Sequence, residues 1–264
     1  VIFGGGFSIT HYMLKHRSKD FKIFYFNEIR DGICELINDA IHGKYNYSRY
    51  RPEWVSREDF LKKVDHDILI KILWSFGNNG KDYLFGKEIE GYKRSLHNAV
   101  IFNQSDETAK SVLGVSEFRD EYSVIDKRLY LRNRVAFISK RKNKGELKQL
   151  QQLQQLQQLQ QLERLERLER LEFSSCSYEK IDIKPSSIIY CDIPYKGTVG
   201  YDKIFDHGKF FDWADKQNNP VYISEYEIKD KRFKEVFRIK KRSLYSSNKT
   251  LNNKIERVYV NNAG

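Results

Sequence analysis

The chain has 264 residues, enough for one large domain or for a core carrying a substantial insertion. With 40% hydrophobic and 14% aromatic residues it is too apolar for global disorder, and 47 Lys and Arg against 36 Asp and Glu leave a balance of +11 that favours a polyanionic partner such as nucleic acid. No run approaches the ~20 apolar residues that span a bilayer and no signal peptide is recognisable, so the expectation is a soluble cytoplasmic protein with no membrane partner.

In chain order, Val1 to Phe3 reads as a strand running into Gly4-Gly5-Gly6, an amphipathic helix follows from Ile9 to Lys15, and Phe21 to Ile29 reads as a buried strand before a second helix. This is the opening of a doubly wound α/β unit. From about residue 46 to 144 the pattern changes to short, aromatic-rich, mixed-charge segments without strand and helix alternation, which predicts an inserted region. Leu147 to Leu171 repeats leucine at every third position, spaced first by Gln-Gln and then by Glu-Arg. An α-helix would carry those leucines around its axis by about 60° per repeat, so the tract is expected to be a helical spacer with no site of its own. After it, α/β order returns: Ser186 to Asp192 is a β-branched strand, residues 206–216 a helix and Pro220 to Tyr226 a further strand. Two more strands, 234–244 and 254–261, separated by a polar loop, predict a closing antiparallel pair. The core is then 1–45 with 145–264, interrupted by 46–144.

Two segments carry chemistry. The first is Phe3-Gly4-Gly5-Gly6-Phe7, between a strand and a helix, where glycines let the backbone approach a ligand and a helix start offers free amide donors. Glu28, at the end of the next strand, is placed to accept from ribose hydroxyls. Ile9 stands where the dinucleotide fingerprint G-x-G-x-x-G needs its last glycine, which argues against a nicotinamide enzyme. The second is Asp192-Ile193-Pro194-Tyr195, directly after a strand. A carboxylate and a free carbonyl at a strand's end can accept both hydrogens of an exocyclic amine, and an adjacent aromatic ring can stack on a flat base. Cys34, Cys176 and Cys191 show no Cys-x-x-Cys spacing and the histidines are scattered, so no metal is expected.

The glycine turn, the insertion and then YCDIPYKGT together resemble the Dam-like DNA adenine-N6 methyltransferases, in nearly whole-chain order, with YCDIPYKGT as the most specific block. The resemblance implies an S-adenosylmethionine-dependent, Rossmann-like methyltransferase sheet with a reversed last strand, interrupted by a target-recognition region. It makes Phe3, Gly4, Gly5, Gly6, Phe7 and Glu28 cofactor-binding, together with Ser177, Tyr178 and Asp192. The catalytic Asp-Pro-Pro-Tyr falls on Asp192, Ile193, Pro194 and Tyr195, with Ile193 in place of the first proline. The family's cofactor segment upstream of the glycine turn has no counterpart after Val1.

The expected activity is methyl transfer to N6 of an adenine flipped out of double-stranded DNA. Asp192 and the carbonyl of residue 193 or 194 would hold the amine while Tyr195 stacks on the base. The alternatives are a non-catalytic DNA-binding relative and transfer to cytosine N4. Such enzymes, bacterial or phage-encoded, also occur beside a cognate restriction endonuclease. Phosphate contacts are expected from Lys140, Arg141, Lys142 and Lys144, from Lys196, and from the run Lys229 to Arg242, which includes Lys240 and Lys241.

Overall fold

The computed structural model of the protein describes residues 1–142, 150–164, 168–196, 205–242 and 253–263. In chain order these form α1 (Ser8–Arg17), β1 (Phe24–Asn27), α2 (Ile33–Ile41), α3 (Arg57–Lys63), α4 (Ile68–Trp74), α5 (Lys87–Phe102), α6 (Glu107–Leu113), α7 (Val124–Lys142), α8 (Gln151–Gln160), β2 (Leu171–Ser174), β3 (Ile189–Asp192), α9 (His207–Asp215), β4 (Val221–Glu225), β5 (Lys234–Arg242) and β6 (Asn253–Val260). The protein is mixed α/β and divides into two compact units, Val1–Cys34 with Leu165–Gly264, and Glu35–Arg164. The sequence placed these boundaries after residues 45 and 144; the structure has them at 34/35, within α2, and at 164/165.

The first unit is built on strands. β1 pairs in parallel with β2, and the four strands β3, β4, β6 and β5 are neighbours in that order. β3 and β4 are parallel, and β6 runs antiparallel to both β4 and β5. Ile2 joins the two groups, bridging in parallel to Asn27 at the end of β1 and to Cys191 in β3. Alternation fixes the faces. Ile189, Cys191, Ile193, Val221 and Ile223 point into a core closed by Phe210 and Ala214 of α9, whereas Tyr190, Asp192, Tyr222 and Ser224 occupy the opposite face of β3 and β4. Asp206 caps α9, its carboxylate accepting from the Lys209 amide at 3.0 Å.

The second unit is helical among its described residues. Three of its helices start at capping residues. The side chains of Ser56, Asp67 and Asp106 accept amide hydrogens at the starts of α3, α4 and α6. The segment WSFGNNGKDYLFG makes a turn after α4, closed by a bridge between Ser75 and Tyr83, and RLYLRNR lies within α7. The repeat is core here. Leu150, Leu153 and Leu156 are fully buried, and Leu150 and Leu153 belong to the cluster that includes Leu96, Ala99, Val100 and Leu131. The rotation of each successive leucine is small enough for three of them to share a broad apolar stripe, and at Gln161–Arg164 the helix tightens to the 3-10 form, whose three residues per turn match the repeat and keep Leu162 buried. The spacer reading is therefore corrected for the part of the tract that is described.

Candidate active site

The site forms where parallel strands of the first unit end. Gly4 donates to the carbonyl of Asn27 at 2.9 Å, Phe7 donates back to Gly4 at 3.1 Å, and the turn passes through left-handed backbone at Phe3, Gly5 and Phe7 with φ of 59°, 54° and 70°. A side chain on Gly4 would lie 2.0 Å from the ring of Phe26, so this glycine is fixed by packing. Gly5 and Gly6 have open space where a Cβ would point, leaving their backbone approachable. Phe7 is different: its ring is buried against Phe26 and Phe173, so it offers a ligand only its backbone.

Glu28 is buried at the end of β1. Its carboxylate accepts from Gly5 N at 2.7 Å, from Arg30 N and Nε at 3.0 Å each, and from Arg30 Nη2 at 3.4 Å. These four donors match the lone-pair sites a carboxylate offers. A ribose hydroxyl at Glu28 would have to displace one of them, and the half-exposed Arg30 side chain is the one able to move. Beside it, the buried Asn27 ties β1 to the segment after β2, its amide donating to Cys176 O at 3.0 Å while its oxygen accepts from Ser174 Oγ at 2.8 Å and Cys176 N at 3.1 Å. Ser177 starts a single 3-10 turn, and Tyr178 packs against Phe3 at 5.7 Å, Phe210 at 5.3 Å and Trp213 at 5.2 Å between ring centroids. Phe3 also meets Phe205 and Phe210 edge-on. Of the residues expected to line a cofactor, Phe3 and Tyr178 thus form an aromatic cluster with Phe205, Phe210 and Trp213 beside the glycine turn.

The second motif ends β3, next to the bridge at Ile2. Asp192 is exposed and paired in register with Ser224 of β4. Ile193 is buried in the sheet core, so its contribution at the surface is its backbone. The Pro194 carbonyl accepts from His207 Nε2 at 2.9 Å, and the Lys196 amide donates to the buried Glu225 at 3.0 Å. Tyr195 shares a 2.6 Å hydrogen bond with Ser224 Oγ, donates a short one to Glu256, and meets Tyr226 edge-on at 4.6 Å. Burial first, and then the bond to Glu256, push the Tyr195 hydroxyl far above the ordinary tyrosine range. Burial also pushes Tyr190, one pleat from Asp192, up to about 12. Both phenols are therefore neutral hydrogen-bonding groups at physiological pH.

The structure brings Phe3 to Phe7, Glu28, Ser177, Tyr178 and Asp192 to Tyr195 to one edge of the sheet. The predicted phosphate contacts fall in both units. Lys196 is exposed directly after Tyr195, and Lys240 is exposed on β5. Lys140, Arg141 and Lys142 lie on the last turns of α7 and Lys241 on β5, with side chains outside the described residues; Lys144 and the segment 197–204 lie outside them altogether. The basic run is also less cationic than its count, since Arg232 pairs with Asp230 at 2.6 Å and with Asp212 at 2.8 Å. Sequence reasoning missed Asn27, His207 and Glu225. Glu225 had a usable signal, an acid at the carboxyl end of a strand like Glu28 and Asp192; nothing marks the other two.

No protein-family model matches the chain, and no curated protein matches it. Among the described residues no group of three or more His, Cys, Asp or Glu is placed to hold a metal ion, and no helix is long and apolar enough to cross a membrane.

Proposed function

We propose that the protein is an S-adenosylmethionine-dependent DNA adenine-N6 methyltransferase. The observation that carries this reading is the parallel bridge of Ile2 to Cys191, which sets side by side the starts of two motifs 185 or more residues apart, the glycine turn and Asp192-Ile193-Pro194-Tyr195. Ile2 lies between β1, which follows it in the chain, and β3, which belongs to the other half of the sheet, so the glycine turn sits at a topological switch point. Ligands of open α/β sheets bind outside the carboxyl ends of strands at such a point. The order β2, β1, Ile2, β3, β4, β6, β5 with β6 reversed agrees with the methyltransferase sheet the resemblance implies and supports the same reading.

The cofactor would supply an electrophilic methyl group. The residues fit it: open backbone at Gly5 and Gly6, a carboxylate at Glu28 for ribose hydroxyls once Arg30 shifts, and the Phe3 and Tyr178 rings for an adenine. At the other motif, Asp192 and the Ile193 or Pro194 carbonyl accept the two hydrogens of the target amine. This directs the nitrogen lone pair outward and stabilises the positive charge that develops on it. The Pro194 carbonyl already accepts from His207 and retains one lone pair for that task. Tyr195 provides the ring against which the extruded base stacks. Lys196 and Lys240 contribute positive charge toward phosphates.

Transfer of labelled methyl from S-adenosylmethionine to unmethylated duplex DNA, followed by nucleoside mass spectrometry, tests the reading. The expected product is N6-methyladenine. N4-methylcytosine would replace the assignment of the target base, and retained DNA binding without any label would make the protein a non-catalytic relative.

A further inference from the structure

The loop bearing the catalytic tyrosine is gripped by its backbone on both sides. On the amino side, His207 Nε2 lies 2.9 Å from the Pro194 carbonyl oxygen. On the carboxyl side, the Lys196 amide donates to Glu225 Oε2 at 3.0 Å, and the same carboxylate oxygen stands 3.7 Å from His207 Nε2. Glu225 is almost wholly buried at the end of β4 and is itself fixed by the Tyr226 amide at 2.6 Å. His207 is fixed from below, its Nδ1 lying 3.1 Å from the Phe205 carbonyl and its ring edge-on to Phe205 at 4.9 Å. A neutral imidazole protonated on Nε2 holds the Pro194 carbonyl, and the doubly protonated ring holds both carbonyls. In either form the two peptide groups flanking Tyr195 are anchored to the end of β4 and to the start of α9.

We infer that His207 and Glu225 are positioning residues that set the Asp192 to Tyr195 turn for catalysis. This rests on the methyltransferase reading and deepens it. Neither side chain has to meet the base or the cofactor; their effect runs through the Pro194 carbonyl and the Lys196 amide, and so through the direction of the carbonyl that receives the amine and the seat of the Tyr195 ring. Proline supplies no amide hydrogen of its own at 194, so this stretch of backbone depends on acceptor-side contacts and side chains for its orientation. A misplacement of about 1 Å at a reacting group costs on the order of a hundredfold in rate, whereas ground-state binding of duplex and cofactor draws on a much wider surface.

The test is methyl transfer by the full chain and its His207→Leu and His207→Gln variants, with kcat, KM and the Kd for duplex DNA measured separately. His207→Leu is expected to lower kcat by about 10- to 100-fold with KM and Kd within about threefold, and His207→Gln, which restores an N–H of similar reach, to recover kcat to within about fivefold of the unmodified chain. Unchanged kcat in His207→Leu would overturn the positioning role, as would a His207→Gln variant as impaired as His207→Leu. No transfer by the unmodified chain would overturn the methyltransferase reading and the role with it, a result distinguishable from the first two. Should His207→Leu not fold, the role stands or falls on His207→Gln together with scalar coupling across the hydrogen bond from His207 Nε2 to the Pro194 carbonyl carbon in the unmodified chain; absence of that coupling overturns it.

Discussion

Two histidines, one in each unit, stand in opposite surroundings. In the helical unit, His97 is fully buried on α5, with Nε2 2.9 Å from the Pro52 carbonyl and Nδ1 3.5 Å from the Gln152 amide nitrogen. One acceptor and one donor suit a neutral imidazole, and burial pushes its pKa down to about 4. Around it stand Trp54, Trp74 and Phe102. In the strand-built unit, His207 is partly open and faces two carbonyls and a carboxylate. The first histidine is satisfied once and for all by its neighbours, as a tie among α5, α8 and the chain at Pro52. The second holds a loop at the edge where strands end and where a ligand can arrive. Groups buried in the helical unit should therefore govern stability, and polar groups at the strand ends should govern turnover, and the substitutions below test the two sides of that division and the seam between them.

The largest effect is expected at Asp192. Asp192→Ala removes the exposed carboxylate assigned to the amine and leaves the buried side of β3 untouched. Methyl transfer should fall by about 10²- to 10³-fold while DNA affinity and melting temperature stay near those of the unmodified chain. A variant that keeps its rate, or that loses it only because it unfolds, would break the division at its most specific point. Leu153→Ala tests the other side. It empties a fully buried position in the core of the helical unit and should cost about 2–5 kcal/mol in denaturant unfolding. A true spacer would lose almost nothing.

His97 sharpens the contrast through pH. Its native pKa, about 4, lies below the unfolded value of about 6.5, so the unfolded chain binds more protons in that interval. The stability associated with neutral His97 is complete above about pH 6.5, declines as pH falls toward 4 and levels off below. The full loss is on the order of 3 kcal/mol. Urea midpoints recorded between pH 4 and 7 should show this slope, and His97→Phe should flatten it. A slope that survives the substitution would assign the acid sensitivity to other groups.

Gly4→Ala probes the seam between architecture and site. The new methyl would meet the Phe26 ring at 2.0 Å, so the ring or the turn must shift, with a loss of about 1–3 kcal/mol. The same change at Gly6, where space is open, should leave the melting temperature nearly unchanged. Equal losses at both positions would mean that the turn is constrained by backbone conformation and not by packing against β1.

What could be read from the sequence follows the same line. The strands and the chemistry at their ends were legible, because an aromatic run ending in Glu28 and a β-branched run ending in Asp192 carry both signals at once. Burial was not. Phe7 and Ile193 read as site residues, yet their side chains point into the core, a matter decided by strand alternation and a left-handed turn that residue types do not announce. Helices α3, α4 and α6 of the second unit were hidden by their seven-residue lengths and mixed charge, although Ser56, Asp67 and Asp106 stood ready as caps. The repeat was misjudged because its period of three was compared with an ideal α-helix alone. A helix that buries three leucines on a broad stripe and then tightens accommodates that period without strain. His207 and Glu225 sit 12 and 30 residues beyond Tyr195 in the chain, and only the pairing of β3 with β4 and the start of α9 brings them to it.

The smallest effect is expected at the Tyr195 hydroxyl, and it separates the two tasks of that residue. The ring is assigned to the base, whereas the hydroxyl is bonded to Ser224 of β4 and Glu256 of β6 and is kept protonated by burial and by Glu256. Tyr195→Phe keeps the ring, its edge-on contact with Tyr226 and the backbone grip at Pro194 and Lys196, and removes only the anchor at the far end. Two hydrogen bonds are lost, of about 0.5–1.5 kcal/mol for the hydroxyl partner and about 1.5–3 kcal/mol for the carboxylate; they anchor the ring equally in the ground state and the transition state, so most of that loss falls on stability and kcat should drop by no more than about tenfold. Because the phenol does not ionise near neutral pH, the loss should be the same from pH 6.5 to 8.5. A loss that grows with pH would show that the hydroxyl exchanges protons during turnover, and would move Tyr195 from the base-stacking wall into the proton chemistry of the site.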